Sequence, residues 1–175
     1  LRVTDSKGCS SEDSVNINVI HFEIEAGADT TICVGQSFTI ETDTSVSLGI
    51  SPIVYEWNTS SGLSDSTIYN PVFNGLDSIE LVIRAQDNIG CIAFDTINVN
   101  VVNLNLNMGN DTAICNGDSL AINLDTTVLA GNSPYHFAWI PVVNVSNNLI
   151  HNPLAFGTDT FELKLRITDS LGCTV

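Results

Sequence analysis

The stretch SIELVIRAQDNIGC, residues 78–91, decides the fold of this chain. From Ile79 to Ala85 every second side chain is apolar, so one face of the segment points to a core and the other points to water. Shorter runs of the same kind cover Phe38 to Ile40, Val54 to Trp57 and Asp95 to Val102, with turn residues between them. Helix-period patterns are absent, and we therefore predict an all-β chain.

The same stretch returns 82 residues later as TFELKLRITDSLGC, residues 160–173. At this offset the chain matches itself without insertion or deletion, and Trp57 aligns with Trp139. A fixed period of this length is typical of an array of domains. We predict a C-terminal hairpin of a preceding repeat at 1–20, a complete repeat at 21–102 and a repeat without its last strand at 103–175. The joints should be short and stiff, because no Gly/Ser-rich or Pro-rich linker separates the units.

Four strings carry a resemblance to a known family: GADTTICVGQS at 27–37, YEW at 55–57, Asn70-Pro71 and RAQDNIGC at 84–91. They resemble PKD-like domains, and more narrowly the tandem PKD-like repeats of giant surface adhesins and secreted proteins of the Bacteroidota, including those linked to gliding motility. The resemblance implies tandem immunoglobulin-like β-sandwiches in a head-to-tail array. About seven short strands per repeat agree with such a sandwich. The string Trp-x-Phe-Gly-Asp-Gly of the best-known PKD units is absent after Trp57, which argues against a ligand carried by that loop.

The pattern of apolar residues also predicts which side chains form the core. Each tryptophan is read as the central core residue of its repeat, because it recurs in phase with the apolar pattern. The residues expected to be buried are Trp57, Trp139, Leu81, Ile83, Leu163, Leu165, Ile40 and Ile122.

Charge and motifs argue against catalysis and against several classes of partner. The chain has 5 Lys and Arg against 20 Asp and Glu, a net charge of −15, which disfavours nucleic acid and anionic lipid. His21, His136 and His151 have no histidine at the repeat offset, and none stands at a metal-ligand spacing. No nucleophile elbow, P-loop or dinucleotide fingerprint is present, so we expect no enzyme activity.

We therefore expect a structural repeat segment of a large extracellular adhesin or cell-surface filament that acts as a rigid stalk. The alternative is a spacer or carbohydrate-binding module of a secreted polysaccharide-degrading enzyme. The expected partners are neighbouring repeats of the same chain, with other surface-filament chains and extracellular polysaccharide as further candidates. No segment is apolar over a length that would insert into a membrane.

Calcium is the one cofactor that the sequence raises. Asp29 recurs as Asp111 and Asp43 recurs as Asp125, in segments that look like loops. No EF-hand loop or dense run of aspartates accompanies them. Hydrogen bonds from turn amides to these carboxylates explain the pattern better, and we expect no cofactor.

Five cysteines locked to the period indicate disulfides. Pairing within a repeat would join Cys33 to Cys91 and Cys115 to Cys173, and pairing across a linker would join Cys9 to Cys33 and Cys91 to Cys115. The third arrangement is staggered and joins Cys33 to Cys173. In a sandwich the turn at Cys33 and the last hairpin at Cys91 lie at opposite ends, ~25 Å apart, whereas a disulfide needs Cα atoms within ~7 Å. Head-to-tail stacking brings Cys33 to Cys173, so the staggered pairing is favoured.

A dipeptide bias sets the aspartates apart. Of 13 Asp residues, 12 are followed directly by Ser or Thr, although those two types make up only 33 of the 175 residues. Turn formation explains aspartate in loops but does not require the hydroxyl that follows it. The triplet Asp-Ser/Thr-aliphatic resembles the O-glycosylation signal of exported Bacteroidota proteins. The candidate acceptors are Ser14, Thr30, Ser66, Ser78, Thr96, Thr112, Ser119, Thr126 and Ser170.

Overall fold

The computed structural model describes residues 1–43, 49–124 and 130–175, and these residues form strands joined by loops. A single 3₁₀ turn at Val142–Asn144 is the one helical element in those ranges, which confirms the all-β prediction. None of the described residues forms an apolar helix of bilayer-spanning length. In chain order the strands are β1 (Arg2–Thr4), β2 (Ser10–Glu12), β3 (Thr30–Cys33), β4 (Phe38–Thr39), β5 (Val54–Trp57), β6 (Val72–Phe73), β7 (Ile79–Gln86), β8 (Ile92–Val102), β9 (Ser119–Ala121), β10 (His136–Ile140), β11 (Leu154–Phe156) and β12 (Lys164–Thr168).

The largest sheet has four strands in the order β3-β8-β7-β5. β7 is the segment with the strict alternation, and it pairs antiparallel with β8 from Ile79 opposite Val99 to Gln86 opposite Ile92. β3 is parallel to β8 and places Cys33 opposite Val102, at the end of that strand. A separate two-stranded sheet, β4-β6, contributes Phe73 to the same core.

The first core lies between these two sheets and includes residues from the segment before β3. Trp57, Leu81, Ile83 and Ile40 are all buried in it, as the pattern predicts. The Trp57 indole N–H donates to the backbone oxygen of Ile68 at 2.9 Å, so the one polar atom of the ring is satisfied inside the core.

A second core follows in residues 103–175. Its strand pairs β10-β12 and β9-β11 correspond, at the 82-residue offset, to β5-β7 and β4-β6. The Trp139 indole N–H donates to the backbone oxygen of Ile150 at 2.8 Å, which repeats the bond of Trp57. Trp139 and Leu165 are buried as predicted.

Two predicted core residues of the second half are less buried than expected. Ile122 and Leu163 are half-buried and pack at the margin of the second core, which corrects the prediction for both. The strand expected from Phe161 begins only at Lys164. The reason is the neighbouring strand, because β8 covers β7 from Ile79 onward and the second half has no strand in that position in the described residues.

Residues 1–20 form the β1-β2 hairpin and a segment without regular secondary structure. Val15 and Ile17 are 82% exposed, whereas Ile97 and Val99, which stand at the same phase of the period, are 2% and 1% exposed. The same sequence pattern is therefore buried in β8 and open to solvent in the N-terminal segment. The reason for the difference is that β8 lies between β3 and β7 in its sheet, whereas residues 14–20 pair with no strand in the described residues.

Candidate functional site

The candidate site is the joint between the two cores, which a single extended segment crosses. β8 ends at Val102 beside the first core, and Leu106 packs against the second core. Val102 and Leu104 are 5% and 6% exposed and form a third apolar cluster with Cys173. One residue, Asn103, separates the two buried side chains of this cluster.

A disulfide between Cys33 and Cys173 closes the joint, with Cα atoms 5.2 Å apart and a sequence separation of 140. This is the staggered pairing that the sequence favours. The sheet register explains it, because Cys33 lies opposite Val102 whereas Cys91 precedes the other end of β8. The ten residue steps of β8 span about 33 Å, so Cys33 cannot reach Cys91. Cys9, Cys91 and Cys115 carry free thiols.

The loop that presents Cys173 is built around the buried carboxylate of Asp169. Its Oδ1 accepts hydrogen bonds from the backbone N–H groups of Leu171 and Cys173, both at 2.9 Å. Its Oδ2 accepts from the backbone N–H of Asn132 at 3.0 Å. Burial by itself would raise the pKa of the Asp169 carboxyl, but the hydrogen bonds, foremost that from Asn132, outweigh it and lower the pKa. Asp169 therefore stays ionised and holds the cysteine in position.

The same carboxylate-centred loop occurs at the two other copies of this position. Asp87 Oδ1 accepts from the backbone N–H of Cys91 at 2.8 Å, and Asp5 Oδ1 accepts from that of Cys9 at 2.9 Å. The pKa of the Asp87 carboxyl is also lowered, because the hydrogen bonds to it, foremost that from Ile50, overcome the effect of burial. The cysteine at the end of each such loop is thus held in one local geometry, whether or not it is bonded.

Sequence reasoning did not identify Gly131 and Tyr135 as parts of the joint. The Tyr135 hydroxyl donates to the backbone oxygen of Gly131, and its ring packs against the joint cluster. A Cβ at Gly131 would collide with the side chains of Leu104 and Asp169. The available signal was the glycine that recurs at Gly49, which on its own indicates only a turn.

Of the aspartates weighed as calcium ligands, Asp29 and Asp43 take part in hydrogen bonds. Asp29 Oδ1 accepts from the backbone N–H of Asn98 at 2.8 Å and so ties the segment before β3 to β8. Asp43 joins Glu25 in a β-bridge, Asp111 is exposed, and Asp125 lies outside the described residues. Within 1–43, 49–124 and 130–175 no group of three or more His, Cys, Asp or Glu side chains could hold a metal ion.

The predicted glycan acceptors divide by exposure. Thr30 and Ser66 are half-buried, and Thr126 lies outside the described residues. Ser78 is exposed, but its Oγ accepts from the backbone N–H of Val101 at 2.9 Å and donates to Asn100 Oδ1 at 3.1 Å. A glycan there would remove the proton donated to Asn100 and crowd the oxygen that accepts from Val101. The exposed acceptors without such a role are Ser14, Thr96, Thr112, Ser119 and Ser170.

The sequence matches no protein-family model and no curated protein. One solved structure that resembles the chain is the crystal structure of human desmocollin-1 ectodomain, at 12% sequence identity and a TM-score of 0.36. The match covers 98% of this chain and 38% of that chain, so this chain spans well under half the length of the desmocollin structure.

Proposed function

We propose that this chain is a non-catalytic segment of tandem PKD-like, immunoglobulin-like repeats that acts as a rigid stalk in a large extracellular adhesin or cell-surface filament. The observation that carries the proposal is the Cys33–Cys173 disulfide, which locks the end of one core to the head of the next. This bond connects the two cores to each other and lies inside neither of them. It resists bending and separation of the two halves, which is the mechanical requirement of a stalk.

The recurrence of hydrogen bonds at the 82-residue offset supports the reading of the two halves as repeats. The backbone N–H of Ile40 donates to Pro71 at 2.9 Å, and that of Ile122 donates to Pro153 at 3.0 Å. Many other bonds recur in the same way, including those of the two tryptophans. Units that keep the same internal hydrogen bonds while their exposed residues differ are suited to repetition along a filament.

The disulfide and the charge support a place outside the cell. Disulfides persist in oxidising compartments, and the loop at Asp169 holds Cys173 at 2% exposure in the joint. A net charge of −15 makes neighbouring segments repel one another, which keeps a long filament soluble and separate.

Small-angle X-ray scattering tests the stalk. With the disulfide intact, the maximum dimension and the radius of gyration should fit one rigid arrangement of the two halves. Cys33→Ala/Cys173→Ala should broaden the distance distribution, while Cys115→Ala, the same change at an exposed free thiol, should leave it unaltered. A wild-type profile that requires a wide ensemble of interdomain angles would refute the stalk.

A carbohydrate-binding module is the second candidate, because of a cleft of about 680 Å³ beside the first core. Phe94, which is 62% exposed, lines this cleft together with Glu23 and Glu25. An exposed aromatic ring beside carboxylates suits stacking and hydrogen bonding to a sugar. Retardation in polysaccharide-containing native gels that Phe94→Ala abolishes would favour this function, and absence of retardation would exclude it for the polysaccharides used.

A further inference from the structure

One edge of the large sheet is left open by the way in which the chain enters that sheet. Glu25 forms a β-bridge with Asp43, and the chain pairs with β8 only from Thr30 onward. Gly27, at a φ of +92°, turns the backbone between these two partners, a conformation that glycine adopts readily. β3 accompanies only the last four residues of β8, so residues 92–98 have no strand on this side in the described residues.

The open part of β8 presents backbone hydrogen-bonding groups to a cleft. The backbone N–H of Asn98 points to this side, because it donates to Asp29 Oδ1 at 2.8 Å. Backbone groups of alternate residues in a strand point to the same side, so the N–H and C=O groups of Phe94 and Thr96 also face the open edge. The cleft of about 680 Å³ is lined by this edge and by residues of the segment 22–28. An extended peptide that enters the cleft can pair with β8 as an added strand.

The cleft is acidic and contains an exposed aromatic ring. Glu23, Glu25 and Asp95 contribute carboxyl groups to its lining, and none of the described residues that line it is a Lys or Arg. Phe94 is 62% exposed, and the preceding hairpin has Glu12 at the same phase of the period, so the repeated fold does not require a ring there. A peptide with Lys or Arg side chains complements this charge.

Glu23 and Glu25 are particular to this repeat and lie on a surface that a preceding repeat leaves accessible. The second half has Asn105 and Asn107 at these positions, so the fold does not require carboxylates there. Both asparagines are exposed although the first core precedes them in the chain. The same positions in the first half are therefore accessible within an array of such repeats.

We propose that the repeat 21–102 binds an extended basic peptide, which adds as a strand to β8 at Phe94 and Thr96 and places Lys or Arg side chains beside Glu23 and Glu25. The strand hydrogen bonds supply affinity, and the carboxylates select a basic partner. A peptide fits this cleft better than a sugar, because the edge offers donors and acceptors at the spacing of a polypeptide backbone. This inference goes beyond the stalk function, since it gives the stalk a binding partner along its length.

Fluorescence anisotropy with a labelled probe peptide and the full chain tests the inference. The probe alternates Lys and Val and is about five residues long, which spans the open edge. We expect saturable binding that weakens as the salt concentration rises. Two control peptides should each bind about tenfold more weakly or not at all. One has Glu in place of Lys and removes the charge attraction, and the other has N-methyl groups on its Val amides and removes strand donors while it keeps the charge.

Variants of the chain test the site itself. Glu23→Gln/Glu25→Gln should raise the Kd for the Lys probe roughly three- to tenfold, because two exposed ion pairs are lost. The matched control is Asp111→Asn/Glu162→Gln, which removes two exposed carboxyl groups of the second half and should leave the Kd unaltered. Amide hydrogen exchange followed by NMR should slow at Phe94 and Thr96 when the probe saturates the chain.

Equal losses in the two variants, equal binding of the Glu peptide, or unchanged exchange at Phe94 and Thr96 would overturn the inference. Retardation in polysaccharide-containing gels without binding of the Lys probe would overturn it and favour the carbohydrate-binding module. Concentration-dependent dimers of the chain alone that protect the same two amides would overturn it and assign the edge to a second copy. All of these outcomes leave the stalk function standing, since the scattering experiment tests that function separately.

Discussion

Removal of the joint disulfide should destabilise the chain far more than removal of a free thiol. The variant is Cys33→Ala/Cys173→Ala, with alanine at Cys173 because that site is 2% exposed and should not receive a buried hydroxyl. The matched control is Cys115→Ala, which makes the same chemical change at the equivalent of Cys33, where the thiol is exposed and free.

The magnitude follows from the loop that the bond closes. With a sequence separation of 140 between the cysteines, the loop-closure entropy removed from the unfolded chain corresponds to about 5 kcal/mol at 25 °C. Loss of native disulfides typically costs about 2–5 kcal/mol, so we expect the double variant to fall in that range. At about 2–4 °C for each kcal/mol in a chain of this size, Tm should drop by roughly 4–20 °C. The control should change the free energy of unfolding by less than about 0.5 kcal/mol.

Guanidinium unfolding followed by tryptophan fluorescence measures the effect in both halves, because Trp57 reports the first core and Trp139 the second. Wild-type protein in reductant should unfold like the double variant. The reasoning would be refuted if the double variant lost no more stability than Cys115→Ala, or if reductant left the wild-type midpoint in place.

Three further predictions concern the joint and the surface. Asp169→Asn should lower Tm at neutral pH, because the native pKa of this carboxyl is below its usual 3.8 and the ionised group stabilises the fold above that pH. This stabilisation is lost as the pH falls through the native pKa, so the difference in Tm between variant and wild type should close between pH 7 and 2.5. A difference that stays constant over this range contradicts the prediction. Gly131→Ala should cost about 1–3 kcal/mol in denaturant unfolding, since its Cβ collides with Leu104 and Asp169, and an unchanged midpoint would show that the site relaxes freely. Protein from its native host should exceed the bare mass of 18.7 kDa through O-linked glycans at exposed sites such as Ser170 and not at Ser78, whose hydroxyl is bonded in the sheet; intact-mass and glycopeptide measurements decide this.

Much of the fold could be read from local pattern. The alternation in residues 79–85 predicts which face of β7 is buried, because side chains on a strand point to opposite sides in turn. Leu81 and Ile83 are fully buried accordingly. The recurrence of Trp57 as Trp139 likewise predicted two central core residues with one environment.

The burial of margin residues could not be read in this way. Leu163 has the same pattern as Leu81 and Val15 the same as Ile97, yet Leu163 is half-buried and Val15 is exposed. Burial of a strand face depends on whether other strands lie beside and across it, and an alternating pattern states only that such a face exists.

The amino-acid sequence by itself determined the period, the strand faces and the set of cysteines available for pairing, because each of these is a local property that repeats along the chain. Only the tertiary structure decided which cysteines bond and which polar groups position them. Cys33 meets Cys173 because β3 runs parallel to β8 as far as Val102, because a single residue carries the chain into the second core, and because the Asp169 loop turns its cysteine back to that point. These are contacts between residues up to 140 positions apart, which a local sequence pattern does not specify.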